Sequence, residues 1–387
     1  MRRLACLLSA SFIASVAVPS SAHACGGCFQ PPDVVSSVTD HRMVIALSND
    51  QSTLWDQIQY SGNPRDFVWV LPTPEPAMVE LADPSFFDTH DDRTRPQVIP
   101  PPVAQPTNSG PSFGCGSANF AAGARESVDD GVTVHHQGQV GPYETATISS
   151  KDPMALVRWC NQQGYAVPNS LYPTVKFYVD KGWAFNVLRL RPDQSTSQMR
   201  PVRVVFKGLG AVFPLRMVAA GAAQSLGILL WVYADQRYQA MNYDTVEIDE
   251  TRLRWSTTSN RSNYRELFAA TMAEHAKGTF VTEFVGAVSP DSLPVSAQGD
   301  VTIAKRGIAA DKLRVTRLRT SLAPALLTQD LILTPAPSNR DVSNIHRLNS
   351  GQSQSEPIGA LFGGTRGPMM ATALALLGLA ALLRRRR

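Results

Sequence analysis

Residues 43–71 read MVIALSNDQSTLWDQIQYSGNPRDFVWVL, and this stretch decides the fold class. It contains three short apolar runs, at 43–47, 54–60 and 67–71, rich in β-branched and aromatic residues. A Ser-Gly-Asn-Pro turn at 61–64 separates the last two runs. We therefore predict a three-stranded β-meander. Because the third run is apolar on both faces, we predict that it is a central strand of the sheet.

The middle of the chain carries helical signals. Asp152 precedes Pro153, and an apolar face that includes Leu156 and Cys160 follows, which predicts a helix with Asp152 as its N-cap. The same face predicts that Cys160 is a core residue. Two further helices are predicted, one capped by Asn169 and ending at Gly182, the other opened by a capping box of Asn263 and Glu266 and running through His275.

The remaining apolar runs have the spacing of strands. Because strands outnumber helices, we predict an α+β fold, a sheet-dominated exported domain with a few helices in the middle. Residues 25–333 would form this body as a single domain. The predicted strands lie at 183–190, 202–206, 213–218, 226–234, 279–285, 313–318 and 330–333.

Two segments lack any apolar period. Residues 88–125 are rich in Pro, Gly, Ser and Asn, and we predict a long surface loop there. Residues 334–366 are polar and contain Pro, which predicts a flexible linker between the body and the C-terminal segment.

Residues 1–24 have the composition of a secretion signal. Arg2 and Arg3 precede an apolar stretch, and small residues end at Ala24, after which we expect signal peptidase to cleave. One alternative is a core helix in this segment. Another is lipid modification of Cys25, although Ala22 and the bulky His23 depart from the lipoprotein pattern.

Residues 367–387 predict one C-terminal membrane helix with a basic tail. The apolar run at 369–383 spans only about 22 Å at ~1.5 Å per residue, which is short for a bilayer core of ~30 Å. The closing arginines favour a cytoplasmic tail and a body outside the cytoplasm. A C-terminal core helix is the alternative. The segment also resembles bacterial sorting tails read by a membrane protease, on the basis of Gly363, Gly364, Arg384, Arg385, Arg386 and Arg387.

Nearly all the excess positive charge lies in these two termini. The formal net charge is +4, and subtracting Arg2, Arg3 and the four closing arginines gives 4 − 6 = −2 for the rest of the chain. A nearly neutral body lacks the basic surface that nucleic-acid binding requires. We therefore expect the membrane, reached through the C-terminal helix, as a partner, and no nucleic acid.

Four cysteines remain after removal of the signal: Cys25, Cys28, Cys115 and Cys160. In an oxidising exterior an even count predicts two structural disulfides, with three possible pairings. Two alternatives stay open. Cys25 and Cys28 have the spacing of a redox dithiol, but two prolines follow where a helix would have to begin. A four-cysteine zinc site is the other, although only this first pair has ligand-like spacing.

Several motifs resemble those of an exported bacterial family that is catalogued only as a domain of unknown function. The resemblance runs over about 300 residues and implies export and a single body, with no catalytic residues to transfer. The chain departs from the pattern at Cys160 and Gln163, so Cys160 is not expected to be a shared functional thiol. The motifs are Cys25-Gly26-Gly27, residues 57–62 and 66–72, 140–144, Arg158-Trp159 with Gly164-Tyr165 and Pro168, Tyr178-Val179 with Gly182, and Phe213-Pro214-Leu215-Arg216.

Reactive constellations are weak in this sequence. Ser112 lies in a Gly-x-Ser-x-Gly match, but without the strand and helix that would expose a nucleophile. His135 and His136 are adjacent on a predicted strand and point to opposite faces, which prevents chelation of one metal. Residues 88–92 offer Asp and His side chains to a cation, although a solvated surface is the simpler interpretation. We expect no cofactor and no metal.

These observations favour an exported, membrane- or surface-anchored envelope protein with a non-catalytic binding or structural role. The first alternative is a periplasmic or surface hydrolase whose carboxylates are dispersed along the chain. The second is a thiol-redox protein that uses Cys25 and Cys28. Whether the tail is retained or removed by a sorting protease is left open by the sequence.

Overall fold

The computed structural model describes residues 37–61, 68–102, 125–129, 131–163, 167, 171–219, 222–287, 297–304, 308 and 312–355. These residues form a sheet-dominated α+β body with a few helices, as the sequence predicted. The helices are α1 (Pro84–Thr94), α2 (Pro153–Gln162), α3 (Tyr172–Asp180), α4 (Leu215–Ala219), α5 (Tyr264–Glu274) and α6 (Gln298–Ala304).

The larger sheet is mixed. In the described part of the chain it has eight strands, and most neighbours are antiparallel. Two pairs are parallel, the central one and the one at an edge. In spatial order the strands are β14 (Asp244–Val246), β17 (Thr279–Gly286), β18 (Arg314–Leu322), β12 (Ala222–Ala234), β1 (Ser37–Ala46), β2 (Gln51–Ser61), β10 (Val202–Lys207) and β4 (Met78–Leu81), with β1 parallel to β12 and β14 parallel to β17.

A second sheet is antiparallel throughout its described strands. Its order is β3 (Val68–Thr73), β9 (Ala184–Leu190), β8 (Tyr143–Ser150), β7 (Val132–Val140) and β6 (Arg125–Asp129). Short strands make three small sheets: β11 (Val212–Phe213) with β19 (Leu331–Pro335) and β13 (Tyr238–Ala240); β16 (Arg261–Ser262) with β15 (Trp255–Ser256) and β21 (Ser353–Gln354); and β20 (Ile345–Arg347) with β5 (Gln97–Ile99).

The two large sheets pack face to face, with helices outside each. Met43, Ile45 and Leu230 of the larger sheet share one buried cluster with Trp69 and Leu188 of the second sheet. The outer face of the second sheet packs against α2 and α3. The outer face of the larger sheet packs against α1, α6 and, near β17, α5. The body is therefore a four-layer helix–sheet–sheet–helix stack.

The predicted three-stranded meander is wrong in its third strand. Strands β1 and β2 do form an antiparallel hairpin, but β3 leaves it and becomes an edge strand of the second sheet. All six residues of β3 are buried. Trp69 and Leu71 face the cluster between the sheets, whereas Val68 and Val70 face the α2 and α3 layer. Its two-sided apolar pattern arises because both faces of the sheet are covered.

All three predicted helices are present, and the predicted N-cap of the first one is confirmed. Asp152 accepts a hydrogen bond from the Met154 backbone N–H at 2.8 Å, and Leu156 and Cys160 are buried. Helix α3 also exists, but the predicted cap, Asn169, lies outside the described residues. Helix α5 begins at Tyr264, although Asn263 makes no side-chain cap and instead donates to the Arg252 carbonyl and accepts from the Arg254 N–H.

The loop predicted at 88–125 is wrong in its first part. Helix α1 runs through residue 94, and β5 follows it. Asp83 caps α1 by accepting from the Ser85 N–H at 2.8 Å. Phe86, Phe87 and His90 form its buried face, whereas the loop was predicted from the Pro, Gly, Ser and Asn content of the whole segment. Residues 103–124 lie outside the described residues, so the rest of that prediction stays a prediction.

The strand predicted at 213–218 is wrong after its first residue. Strand β11 ends at Phe213, and α4 follows Pro214. The backbone N–H of Arg216, at the start of α4, donates to the carboxylate of Asp330 at 3.2 Å. The helix is thus stabilised by a residue 114 positions away in sequence, which local patterns do not include.

The linker predicted at 334–366 is wrong over its described part. We call residues 336–355 the strap, because they cross the outer surface of the body and end at Ser355. Val342 and Val285 exchange two backbone hydrogen bonds, β20 pairs with β5, and β21 pairs with β15. Leu348 is buried in the cluster beneath α5. Backbone hydrogen bonds to strands distant in sequence hold the strap in place. The polar composition of the strap does not indicate these bonds.

No helix among the described residues is long and apolar enough to cross a membrane. The predicted membrane helix at 367–387, the signal segment at 1–24 and residues 356–366 of the predicted linker lie outside the described residues.

Candidate functional site

A small cleft opens beside the edge strand β14, where α5, β17 and the strap meet. We call it the acidic cleft. Its enclosed volume is about 30 Å³, room for about two water molecules and far below the ~300–1,000 Å³ typical of small-molecule sites. Ile248 and Val342 supply its apolar lining. Its polar lining residues are Glu247, Glu250, Tyr264, Thr282, Glu283 and His346.

A β-bulge presents two of these side chains. The register of β17 against β18 shifts between Thr282 and Phe284, so Glu283 has no residue opposite it. Successive residues of a regular strand point to opposite faces, whereas a bulge re-aims them. Thr282 and Glu283 are consecutive, yet both line the cleft.

Glu283 is the most enclosed charge of the cleft, with no exposed side-chain surface. Its Oε2 accepts from Arg317 Nε at 2.7 Å, and its Oε1 accepts from the Tyr264 hydroxyl at 2.9 Å. Arg319 lies 3.5 Å from the same Oε1. Burial, and next the charge of Glu283, raise the pKa of Tyr264 well above its ordinary value. The hydroxyl therefore stays protonated and donates to the carboxylate.

Arg317 continues this network beneath the cleft. It contacts Asp91 of α1 at 2.7 Å and donates to the Thr94 hydroxyl at 3.1 Å. Its guanidinium stacks over the Trp231 ring at 5.3 Å. A buried guanidinium with two carboxylates and an aromatic ring is well compensated, because most of its donors have partners. The network links α1 to β17 and β18.

The two outer glutamates are also matched. Glu247 accepts from Arg237 at 3.0 Å and from Arg340 of the strap at 2.5 Å. Burial alone would raise the pKa of Glu247, but hydrogen bonds from Arg340 and Arg237 outweigh it and lower the pKa. Glu250 lies 2.8 Å from Nδ1 of the strap residue His346. The strap thereby supplies a partner to each outer carboxylate.

Thr282 differs from its neighbours. Its residue surface is only 2% exposed, and its hydroxyl has no hydrogen-bond partner among the described residues. A buried hydroxyl without a partner costs roughly 1–3 kcal/mol relative to a bonded one. Thr282 lines the cleft, but its hydroxyl oxygen has almost no accessible surface there.

A second polar centre joins residues of two quoted motifs. Asp330 Oδ1 accepts from the Tyr178 hydroxyl at 2.6 Å and from the Arg216 N–H. Its Oδ2 is buried and has no partner in the described part of the chain. Burial raises the pKa of Asp330. This centre connects α3 and α4 to β19, and we interpret it as a contact between layers.

The predicted cysteine set is only partly described. Cys160 is a free thiol, buried at 1% exposure in the α2 layer, and burial raises its pKa to about 12. Its place in the core is confirmed, and the two predicted disulfides stay a prediction, because the other three cysteines lie outside the described residues. Cys25, Cys28 and Cys115 lie outside the described residues, as do Ala24, Ser112, Gly363, Gly364, Arg384, Arg385, Arg386 and Arg387.

The Asp and His side chains of residues 88–92 lie on helix α1, which directs them to different partners. His90 points inward, fully buried, with contacts to the Phe86 carbonyl and the Tyr233 hydroxyl. Asp88 pairs with Arg42, and Asp91 pairs with Arg317. Across the described ranges, no group of three or more His, Cys, Asp or Glu is arranged to hold a metal ion. On β7, His135 contacts the Ser149 hydroxyl at 2.8 Å.

Sequence reasoning did not identify the residues of the acidic cleft. They come from segments up to a hundred positions apart, and no local motif joins them. One signal was present in the sequence. The strand predicted at 279–285 has Glu283 inside an apolar run. The strand predicted at 313–318 contains Arg317, and Arg319 directly follows it. Charges of opposite sign inside two strands indicate that the strands are neighbours.

Comparisons with known proteins place the chain in a bacterial context. The family model described as "Uncharacterized protein conserved in bacteria (DUF2330)" matches residues 19–334. No curated protein and no solved structure gave a match. The matched range contains all the cleft residues from the body and ends just before the strap, which contributes Val342 and His346.

Proposed function

The chain belongs to this family of uncharacterized bacterial proteins, as its motifs predicted, and from that premise we propose that it is an exported envelope protein with a binding role. The signal features of residues 1–24 support export, and the apolar run with its arginines at 367–387 supports an anchor that leaves the body outside the cytoplasm. The acidic cleft is the proposed binding site.

One observation carries this proposal: Glu283 and Glu247 of the cleft are each hydrogen-bonded to fixed partners. Glu283 is held by Arg317 and Tyr264, and Glu247 is held by two arginines. A general base or nucleophile needs a carboxylate that can exchange its partners during a reaction. Carboxylates fixed in this way suit a rigid polar wall against which a small ligand is bound, and the anchor would present that wall at the membrane surface.

A pair of reporter fusions tests the location. Alkaline phosphatase or a fluorescent protein is joined after Ser355, where the described body ends. We expect active phosphatase and a dark fluorescent protein, because the fluorescent protein does not mature after export in an unfolded state. A matched fusion that lacks residues 1–24 should reverse both signals. Cytosolic fluorescence from the fusion that retains residues 1–24 would overturn the proposal.

Mass spectrometry of the protein from its native cells tests the processing steps. We expect an N-terminus at Cys25, as produced by signal peptidase cleavage after Ala24. A retained C-terminus at Arg387 supports a permanent membrane anchor, whereas an end near Gly363 or Gly364 supports removal by a sorting protease. A diacylglyceryl mass on Cys25 would replace the cleavage proposal by the lipoprotein alternative.

A hydrolase remains the second candidate, because three glutamates line one cleft. Glu250 is the candidate acid or base, since its side chain is 66% exposed and only His346 contacts it among the described residues. Chromogenic esters and glycosides are offered to the full-length chain and to Glu250→Gln. Turnover that the variant abolishes would favour the hydrolase. The thiol-redox alternative now depends on Cys25 and Cys28, and persistent absence of thiol–disulfide exchange by the mature protein would remove it.

A further inference from the structure

Two cations flank one aromatic ring in the helix layer outside the second sheet. The ring is that of Phe177 on α3, which is half-buried. The Lys181 ammonium lies 4.6 Å from the ring centre, and the guanidinium carbon of Arg216 on α4 lies 4.2 Å from it. We call Lys181 and Arg216 the basic pair. Lys181 lies inside one of the motifs quoted from the sequence, at 178–182, and Arg216 ends another, at 213–216.

Neither member of the basic pair forms an ion pair with another described residue. The Arg216 backbone N–H donates to Asp330, but the Arg216 guanidinium has no acceptor in the described part of the chain. Of the guanidinium nitrogens only Nε is closed off from solvent, so the Nη atoms can reach a bound group. Lys181 is exposed. The lysine of the same helix layer at position 176, by contrast, pairs with Asp180 at 2.6 Å.

The local positive charge exceeds what the neighbouring acid offsets. Asp330 is 7% exposed, and burial raises its pKa while the charges of Arg216 and Lys181 act in the opposite direction. Its Oδ1 already accepts from the Tyr178 hydroxyl and the Arg216 backbone N–H. One ionised carboxylate beside two cations leaves one positive charge, and a protonated carboxyl leaves both. Because like charges held near each other repel, an anion at the basic pair would relieve this repulsion.

The stacking of Arg216 on Phe177 prepares the guanidinium for a phosphate. A guanidinium packed on an aromatic face loses little further freedom when it binds an anion, and its planar fork matches two phosphate oxygens. The Lys181 ammonium adds a point charge with three donors. A carboxylate has only two oxygens, which the fork alone would occupy, whereas a phosphate keeps a further oxygen for the ammonium.

We propose that the basic pair binds a phosphate group, either free phosphate or the phosphate of a lipid headgroup, at the outer surface beside Phe177. Two of its oxygens would accept from the Nη atoms of Arg216, and a third would accept from Lys181. The basic pair lies in the helix layer outside the second sheet, whereas the acidic cleft lies outside the larger sheet. This second site is therefore independent of the role proposed for the cleft.

Titration of the purified full-length chain in an uncharged detergent tests the phosphate site. The probe is sodium phosphate, the comparator is sodium chloride at equal ionic strength, and the readouts are calorimetric binding and the midpoint of thermal unfolding. We expect phosphate to bind and to raise the midpoint, because a ligand of the folded state stabilises that state. The midpoint in chloride should be lower, since chloride lacks the oxygens that match the guanidinium fork.

Two variants locate the binding. Arg216→Met and Lys181→Met each keep an apolar stem against Phe177 and remove one charge. Each should weaken phosphate binding about tenfold or more. Lys207→Met is the matched control, because Lys207 is an exposed residue at the end of β10 in the larger sheet. Thermal unfolding of each unliganded variant shows that it is folded.

A third variant gives a readout that a purely structural role of the basic pair would not change. Asp330→Asn keeps an acceptor for the Tyr178 hydroxyl and removes the negative charge next to the proposed site. We expect it to tighten phosphate binding about tenfold, because a bound phosphate would no longer be repelled by the carboxylate.

Equal midpoints in phosphate and chloride would overturn the proposal, as would unchanged phosphate binding by Lys181→Met, an equal loss in Lys207→Met or weaker binding by Asp330→Asn. Lys181 is exposed, so its variant decides the case even if Arg216→Met does not fold. Dihexanoyl phosphatidic acid, used below its micelle concentration, identifies the source of the phosphate. Tighter binding than that of inorganic phosphate supports a lipid headgroup, and binding that is no tighter supports free phosphate.

Discussion

Glu283 shows how a buried charge is kept in a strand. Its carboxylate contacts Arg317, Arg319 and the Tyr264 hydroxyl, and α5 covers it from outside. An isolated carboxylate in such a place would take up a proton or reach for solvent. Here the bulge in β17 creates room for the side chain, and two guanidinium groups and one hydroxyl surround its carboxylate.

Removal of the Glu283 carboxylate should be costly. Glu283→Leu leaves Arg317 with one fewer carboxylate and leaves the Tyr264 hydroxyl without its acceptor, so we expect a loss of about 3–5 kcal/mol in the free energy of unfolding. Urea denaturation of the full-length chain measures it. Lys176→Gln, which removes an exposed ion pair with Asp180, serves as the control and should have no measurable effect. A Glu283→Leu variant as stable as the control would contradict this account of the network.

His90 predicts a pH dependence of stability. Burial is the main cause that lowers its pKa from 6.5 to about 4. Between these values the unfolded chain binds a proton and the folded chain does not, so stability rises with pH across that window and is level above 6.5. The slope contributed by one group is at most about 1.4 kcal/mol per pH unit.

The variant His90→Gln should remove this contribution. We expect the stability advantage of the wild type over His90→Gln to shrink as the pH falls from 6.5 toward 4, and to stay constant above 6.5, where the wild-type ring is neutral in both states. Urea midpoints across the window measure the difference. An advantage that grows on acidification would show that the folded chain holds the charged ring.

At the scale of elements, the strap is the largest departure from the sequence prediction. Its polar residues resemble a linker, yet its contacts are long-range: Asn344 donates to two carbonyls at the end of α1, and His346 reaches Glu250. Each contact joins positions about a hundred or more residues apart. The composition of the strap does not reveal these long-range contacts, whereas a helix cap can be recognised because it lies next to its helix in sequence.

Two truncations separate the strap from a linker. A chain that ends after Pro335 loses the backbone pairs at Val342 and the buried Leu348, so we expect a lower midpoint of thermal unfolding and faster proteolysis near α5. A chain that ends after Ser355 keeps every described contact of the strap and should match the full-length protein. Equal stability of the two truncations would restore the linker interpretation.

The contrast between α2 and α4 explains how much was predictable. Asp152 and Pro153 are adjacent to the helix that they start, so the sequence predicted α2 and its buried face. The start of α4 depends on Asp330, and the acidic cleft depends on a bulge and on the strap, so neither could be predicted from local patterns. The fold class could be predicted because most apolar runs have the spacing of strands, and the strands outnumber the helices.

At the scale of the whole molecule, Asp330 connects the layers. Tyr178 belongs to the helix layer outside the second sheet, and Asp330 directly precedes β19, the strand that pairs with β11 and β13. Tyr243 donates to the carbonyls of Leu326 and Gln329 beside it, and burial raises its pKa to about 12. The hydrogen bond from Tyr178 to Asp330 therefore crosses between packed units.

The variant Asp330→Asn tests this connection. Because burial raises the pKa of Asp330, the folded chain binds a proton more tightly than the unfolded chain, and wild-type stability falls as pH rises above the ordinary aspartate value. We expect the wild type to gain on Asp330→Asn when the pH is lowered from neutral toward 4. Asp330→Ala, which leaves the Tyr178 hydroxyl without its acceptor, should cost about 1–3 kcal/mol at neutral pH and more as the pH is lowered. Parallel pH profiles for wild type and Asp330→Asn would contradict the buried-acid account.

The parallel pairing of β1 with β12 has a consequence for biogenesis. The first strand of the body waits for a neighbour that is synthesised about 185 residues later, and β18 completes the centre of the sheet only near residue 322. At roughly 5–20 residues per second, synthesis of the roughly 285 residues from Ser37 to Leu322 takes about 15–60 s. Through this time the larger sheet lacks its centre, so on the proposed export route a translocation channel that threads extended polypeptide would meet little resistance from that sheet until the chain is nearly complete.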